Sequence, residues 1–342
     1  MKKLIFAGTI KERPDCGESI KNDLFIKRFS EVYEKIYTVE LSQIKRRPWN
    51  LLKLIWLAIT HPHAPIIISL RSHVADFVIN VMNRLCISKN IFFWVVGGCF
   101  HVNVEKGAWH PAKYKKIKKL IVQSPVMVDS LRKSGIQNAV YVSNSKRIDY
   151  IPDISFRKND KIRFVFLSRI HPDKGCNMII NCVKRLNSMG LSTKYEVDFW
   201  GAMFYEEPEL FYNQVKDYPN IHYNGFLDLS GKKGYDILSN YNIMLFPTYW
   251  SGEGFPGVII DAYIAGVPVI ASDWNFNKEV VSDDFGIIVP PRDENSLFLT
   301  MKDVLDGKYN LYAMSRACQN KAQQYDNRVV LSERNLLSLG LL

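Results

Sequence analysis

The chain has 342 residues, 47% hydrophobic and 23% charged, a globular composition that excludes a disordered, collagen-like or coiled-coil protein. At about 150 residues per domain, its length points to two domains. The net charge of +11 is held unevenly: residues 1–160 carry 27 Lys and Arg against 13 Asp and Glu, and residues 161–342 carry 18 against 21, so the two halves are expected to meet different partners.

In chain order, Met1–Ala7 opens like a signal peptide, but the apolar run stops at Thr9 and Lys11, too short for a leader. Lys3–Ala7 reads instead as a first buried strand. Further strand candidates are Ile66–Ser69, Ile91–Val96, Leu120–Gln123 and Val140–Val142, then Arg163–Leu167, Glu196–Trp200, Ile221–Tyr223, Ile243–Phe246, Val267–Ala271 and Gly286–Val289. Many are runs of Ile, Val and Phe without alternation, the pattern of strands covered on both faces. Amphipathic stretches such as Cys176–Met189 and Val258–Ala265 lie between them. This rhythm predicts an α/β fold of parallel sheets with right-handed crossovers. The polar segment Ile151–Lys161, with Pro152, is the predicted linker, and the rhythm restarts after it. Two doubly wound domains are therefore expected, with ligands at the carboxyl ends of the strands.

No stretch approaches the roughly 18 apolar residues that span a bilayer. The six cysteines (Cys16, Cys86, Cys99, Cys176, Cys182, Cys318) form no CxxC pair and no zinc spacing. With no leader, they are expected to be reduced thiols in a cytoplasm.

Two loops carry the chemistry. After Arg163–Leu167 comes Ser168-Arg169-Ile170-His171-Pro172-Asp173-Lys174-Gly175. It places Arg169 and Lys174 at a strand-to-helix junction, and an Arg fork beside an ammonium suits a diphosphate. The plainer alternative is two solvated loop cations. After Ile243–Phe246 comes Pro247-Thr248-Tyr249-Trp250-Ser251-Gly252-Glu253-Gly254-Phe255-Pro256-Gly257, then a helix bearing Asp261. The glycines admit close backbone approach, the amides at the helix start can cradle a phosphate or hydroxyl, and carboxylates accept from sugar hydroxyls. Alternatively, Glu253 only favours the helix dipole and Asp261 is a solvated helical residue.

The run Glu253-Gly-Phe-Pro-Gly-Val-Ile-Ile-Asp261, continuing through Gly266-Val-Pro268-Val-Ile-Ala-Ser272, resembles the donor-binding signature of retaining glycosyltransferases of the GT-B fold, family four. Phe166–Gly175, Phe199-Trp200-Gly201, Asn224-Gly225-Phe226, Asn275–Glu279 and Phe285–Pro290 resemble further elements of that family, in order, over roughly residues 160–300. The first half resembles it only through its strand–loop start, Val122-Gln123-Ser124 and Asn144…Asp149. The resemblance implies two Rossmann-like domains facing across a cleft: an acceptor domain over 1–155, with a helix at about 327–342 packing back on it, and a nucleotide-sugar domain over 156–326.

By resemblance, Glu253 contacts the transferred sugar and Asp261, an Asp where the family commonly has Glu, holds the ribose. Arg169 and Lys174 neutralise the diphosphate, and the donor is also met by Ser168, Gly201, Phe226, Gly254, Phe255, Pro256 and Gly257. From the first domain come the loop Asp15-Cys16-Gly17-Glu18-Ser19, contributing Gly17, and His101 near the reacting sugar. The reaction implied is retaining hexosyl transfer, with a UDP-sugar favoured over GDP-mannose. No Asp-x-Asp is present, so no metal or other cofactor is expected.

The basic half holds Lys45-Arg46-Arg47-Pro48-Trp49, then an apolar stretch containing Trp56, and a second cluster that includes Lys115 and Lys116. Both suit an anionic bilayer surface, at about 1 kcal/mol per nearby cation. The alternative is a buried core helix with a solvated lead-in. The expected acceptor is a lipid-linked or growing surface polysaccharide at the inner face of the plasma membrane, a soluble acceptor being the alternative. No nucleic-acid motif accompanies the charge. A Rossmann oxidoreductase would need Gly-x-Gly-x-x-Gly after strand one, which Gly8-Thr9-Ile10-Lys11 lacks. A non-catalytic binding module would leave Arg169, Lys174, Glu253 and Asp261 unexplained.

Overall fold

A computed structural model describes residues 2–12, 17–155 and 160–342. Asp15 and Cys16 of the predicted first loop, and 156–159 of the predicted linker, lie outside the described residues. Contacts divide the chain into two units, Met1–Arg147 with Tyr325–Leu342, and Ile148–Gln324.

The first unit is built on β1 (Lys3–Gly8), β2 (Lys35–Glu40), β3 (Ile66–Ser69), β4 (Ile91–Trp94), β5 (Lys119–Val122) and β6 (Ala139–Tyr141). They form one parallel sheet in the order β2-β1-β3-β4-β5-β6. Every residue of β3 and β4 is buried, as their unbroken apolar runs predict. β2 escaped the sequence reading for a physical reason: it is an edge strand in which Val39 alone is buried, so it shows no apolar run. One face of the sheet packs Leu4, Phe6, Phe92 and Trp94 against Phe25 and Phe29 of helix Gly17–Ser30 and against Leu331, Leu336 and Leu339. The last three come from the chain's final segment, which forms two short helices, Asn327–Val330 and Glu333–Leu339.

The second unit repeats the plan with β7 (Ile162–Leu167), β8 (Tyr195–Trp200), β9 (Ile221–Tyr223), β10 (Ile243–Phe246), β11 (Val269–Ser272) and β12 (Gly286–Val289). Their order is β12-β11-β10-β7-β8-β9, again all parallel. Phe164, Phe166, Val197, Phe199 and Leu245 pack beneath helices Cys176–Ser188 and Glu294–Leu305. The chain thus adopts the expected α/β architecture of two doubly wound parallel sheets.

The unit boundary falls at Arg147/Ile148, earlier than the break expected after residue 155. Ile148 and Ile154 are buried, and Gln319 donates from Nε2 to the Pro152 carbonyl at 2.8 Å. Pro152 and Ile154 of the predicted linker are therefore packed into the second unit, since an apolar side chain within a polar segment still buries where a surface is offered.

In each sheet the strand order reverses beside the unit's first strand, between β1 and β3 and between β7 and β10. At such a switch point neighbouring loops leave in opposite directions and open a crevice at the carboxyl ends.

Candidate active site

The loops after β7 and β10 meet because these two strands pair directly, Ile243 against Phe164 and Met244 against Val165. The first loop ends in a short 3-10 turn, Pro172–Lys174, stopped by Gly175 at φ 86°. A side chain on Gly175 would lie 2.5 Å from the Pro247 carbonyl, so only glycine lets the two loops touch. The Tyr249 amide then donates to the Asp173 carbonyl at 2.8 Å and ties them together.

This seam brings two of the predicted residues into direct contact. The Lys174 ammonium donates to Glu253 Oε2, with both side chains largely buried. Thr248, itself buried, donates from Oγ1 to the same oxygen at 3.1 Å. Such a buried pair holds both charges because each compensates the other. An ammonium has three donors, and Glu253 takes one.

Arg169 is exposed and faces aromatic rings, with its guanidinium 5.5 Å from the Trp250 centroid and 5.4 Å from Phe204. Lys174 lies 5.8 Å from the Trp250 ring, and His171 meets the same indole edge-on at 5.0 Å. Trp250 is therefore the common wall of the cation pair. Its carbonyl accepts from the Trp274 indole at 2.8 Å, and Asn275, in the left-handed region at φ 48°, donates to the Glu253 carbonyl at 2.7 Å. These contacts fix the glycine-rich loop from behind.

Thr248, Trp250, Trp274 and Asn275 were missed as site residues by sequence reasoning. Their signal was weak because Trp250, Trp274 and Asn275 act through a backbone carbonyl or a ring face, and Thr248 through a hydroxyl bond to Glu253 that only the folded loop forms, none of which a spacing rule encodes.

The remaining predicted residues are placed as follows. Gly254, Phe255 and Pro256 complete the loop, and Gly257 begins helix Gly257–Ile264, with Pro256 as its cap. Asp261 lies inside that helix. It is not a solvated helical residue, being 4% exposed. Its Oδ1 accepts from the buried Tyr235 hydroxyl at 2.9 Å, and burial, with that carboxylate beside it, pushes the phenol well above its usual range. Ser168 donates its amide to Trp200 at 3.1 Å. Gly201 is explained by packing alone, since a Cβ there would stand 1.7 Å from the Ser168 carbonyl. Phe226 projects into solvent, 73% exposed.

Gly17 and His101 belong to the first unit, Gly17 opening helix Gly17–Ser30 and His101 lying in helix Phe100–Glu105. Burial holds the His101 imidazole below its usual range, against the opposing pull of Glu105 and the Gly98 backbone. Trp49 and Trp56 lie on helix Trp49–Thr60, exposed, as are Lys45, Arg46, Arg47, Lys115 and Lys116. The described cysteines are all free thiols, and burial pushes those of Cys176 and Cys182 up to about 12. No helix among the described residues is long and apolar enough to cross a membrane.

Comparison with known proteins bears on this site. Residues 161–306 match the family described as glycosyl transferases group 1. An uncharacterized 41.2 kDa protein of the cps region of Klebsiella pneumoniae is 23% identical over 252 residues, 68% of this chain and 67% of that protein. The UDP-Gal:alpha-D-GlcNAc-diphosphoundecaprenol alpha-1,3-galactosyltransferase of Escherichia coli is 33% identical over 87 residues, 25% of this chain and 22% of that enzyme. Among solved structures, Anabaena Alr3699/HepE in complex with UDP shares 14% identity and superposes with a TM-score of 0.72 over the full length of both chains. The matched segment contains β7 to β12 and the whole Lys174–Glu253 seam. The chain is a glycosyltransferase with the two-domain GT-B architecture.

Proposed function

We propose that this glycosyltransferase moves a hexose from a UDP-sugar to a lipid-diphosphate-linked or growing polysaccharide acceptor in surface polysaccharide assembly, with retention of configuration and without a metal. The observation that carries the reading is the buried Lys174–Glu253 pair, flanked by Arg169, at the switch point of the second sheet. The UDP-bound structural relative favours a UDP donor. The E. coli galactosyltransferase, which by its name uses UDP-Gal and a diphosphoundecaprenol acceptor, favours a lipid-linked acceptor. The cps-region relative favours polysaccharide assembly.

In the reaction the bond between the sugar's anomeric carbon and the diphosphate oxygen breaks, and its electron pair stays with the diphosphate. The acceptor hydroxyl oxygen bonds to that carbon, and its proton passes to the departing diphosphate oxygen. Negative charge grows on the leaving diphosphate, and cations already in place stabilise it without reorganising. Arg169 supplies a planar fork and Lys174 the ammonium donors that Glu253 leaves over. Glu253 faces the sugar hydroxyls, and Asp261, steered by Tyr235, takes the ribose.

The test is donor turnover. Purified protein is expected to hydrolyse one UDP-sugar slowly without acceptor. Glu253→Gln, which keeps size and hydrogen bonding, is expected to lower that rate by about a hundredfold or more. Unchanged turnover in Glu253→Gln rules out the site assignment, and thermal stabilisation by GDP-mannose rather than any UDP-sugar replaces the donor.

A further inference from the structure

Helix Trp49–Thr60 is apolar on two opposite faces, although it sits at the surface. Leu54, Leu57 and Ala58 are buried against the first unit. On the other side Trp49, Leu52, Trp56 and Ile59 are 58%, 67%, 60% and 61% exposed. Their spacing of three, four and three residues, at about 100° of turn each, gathers them on one arc. A helix in water normally presents charge on its outer face, and a continuous apolar one marks an interaction surface.

The charge around the stripe says what covers it. Residues 41–60 contain four cations, Lys45, Arg46, Arg47 and Lys53, and no acid. All four are exposed. The connection through this helix, from β2 to β3, and the one carrying Lys115 and Lys116, from β4 to β5, run the same way along the sheet. Right-handed crossovers therefore put both on one face. Lys115 and Lys116 are exposed, whereas their neighbour Lys113 is engaged with Asp76 at 2.9 Å.

We infer that this helix docks the enzyme on an anionic bilayer, lying in the plane of the headgroups. Trp49, Leu52, Trp56 and Ile59 enter the acyl boundary, and the cations meet lipid phosphates. Tryptophan suits that depth, with an apolar body and a polar N–H. At about 18 Å the helix is too short to span, so it lies on the surface. The sequence alone left a buried core helix open, and the exposed arc decides against that alternative. The inference stands on this helix and does not depend on the transfer reaction.

The experiment is co-sedimentation of the full chain with vesicles of phosphatidylglycerol and phosphatidylethanolamine, and with phosphatidylcholine alone. Wild type is expected to bind the anionic vesicles more tightly. L52S/W56S, at exposed sites where folding is undisturbed, is expected to weaken partitioning about tenfold or more on both. K45E/R46E/R47E is expected to lose about a hundredfold on the anionic vesicles alone, and salt is expected to erase that difference. Full vesicle binding by L52S/W56S overturns the inference. So does a wild-type dimer in solution that L52S/W56S makes monomeric, since the stripe then belongs to a second copy. The assay contains neither donor nor acceptor, so its outcome is separate from that of the transfer test.

Discussion

The two units each bury a lysine, and they treat it oppositely. In the second unit Lys174 lies at the switch point with Glu253 against it. In the first, Lys21 is equally buried in helix Gly17–Ser30, but its ammonium has no hydrogen-bond partner among the described residues. Lys21 sits 5.3 Å from the Phe25 ring and 5.9 Å from Trp94. Burial pushes its pKa down to about 7, against the pull of Glu18. At the first unit's own switch point Asn22 donates to the Thr9 and Ser69 carbonyls at 3.2 and 3.1 Å, Ser69 donates back to Asn22 at 2.6 Å, and the Glu18 carboxylate accepts from Thr9 Oγ1 and faces Arg71 at 3.7 Å. One sheet plan thus carries a buried lysine closed on a carboxylate at one switch point, and at the other an Asn22–Ser69 lock beside a carboxylate that faces the exposed Arg71. Chemistry resides in the loops rather than in the fold.

The largest expected effect breaks the paired lysine. Lys174→Met leaves Glu253 as a buried, uncompensated carboxylate and is expected to cost about 3–5 kcal/mol of stability. Lys174→Met with Glu253→Gln removes both charges and is expected to recover most of that stability while donor turnover stays lost. Thermal melts and turnover on the same samples check it. A double variant no more stable than the single one breaks the claim that the two residues form one pair.

Lys21 is expected to respond in the opposite direction. Its folded pKa, about 7, lies below the unfolded value of 10.5. Between those values the unfolded chain binds the extra proton, so stability rises with pH across that window. Below it, the folded protein holds a buried, unpaired charge. Lys21→Met is expected to stabilise the chain by roughly 2–4 kcal/mol below pH 7, with the gain shrinking as pH approaches 10. Melts at several pH values measure this. Destabilisation by Lys21→Met at low pH means that the ammonium has a partner in solution.

The sequence made one of these lysines legible and not the other. Lys174 stands in a loop after a strand, five residues from Arg169, where position itself suggests anion binding. Lys21 stands within a helix whose buried face mixes Ser19, Lys21, Asn22, Phe25 and Phe29, so no apolar periodicity announces its burial. The sheets were readable because fully buried strands are unbroken apolar runs, and the edge strand β2 was lost for want of one. The seam was half readable. Arg169, Lys174 and Glu253 are charged residues in glycine-bearing loops, whereas Trp250, Trp274 and Asn275 act through ring faces and carbonyls that only the folded chain brings together.

The smallest expected effects come from two glycines, one in each unit, to which the resemblance assigned a donor contact. A Cβ at Gly201 would fall 1.7 Å from the Ser168 carbonyl, whereas one at Gly17 would meet nothing within 4 Å. Gly201→Ala must therefore push β8 and the Arg169 loop apart, and it is expected to cost about 1–3 kcal/mol. Gly17→Ala is expected to shift stability by no more than about 0.5 kcal/mol. The activities then separate packing from ligand approach. Loss of turnover in Gly201→Ala follows from a displaced Arg169. Loss in Gly17→Ala, with the melt unchanged, has no cause within the protein's own packing, so the space over Gly17 is then needed by the substrate. Full activity in Gly17→Ala would remove that glycine from the site and leave the donor chemistry to the second unit's seam.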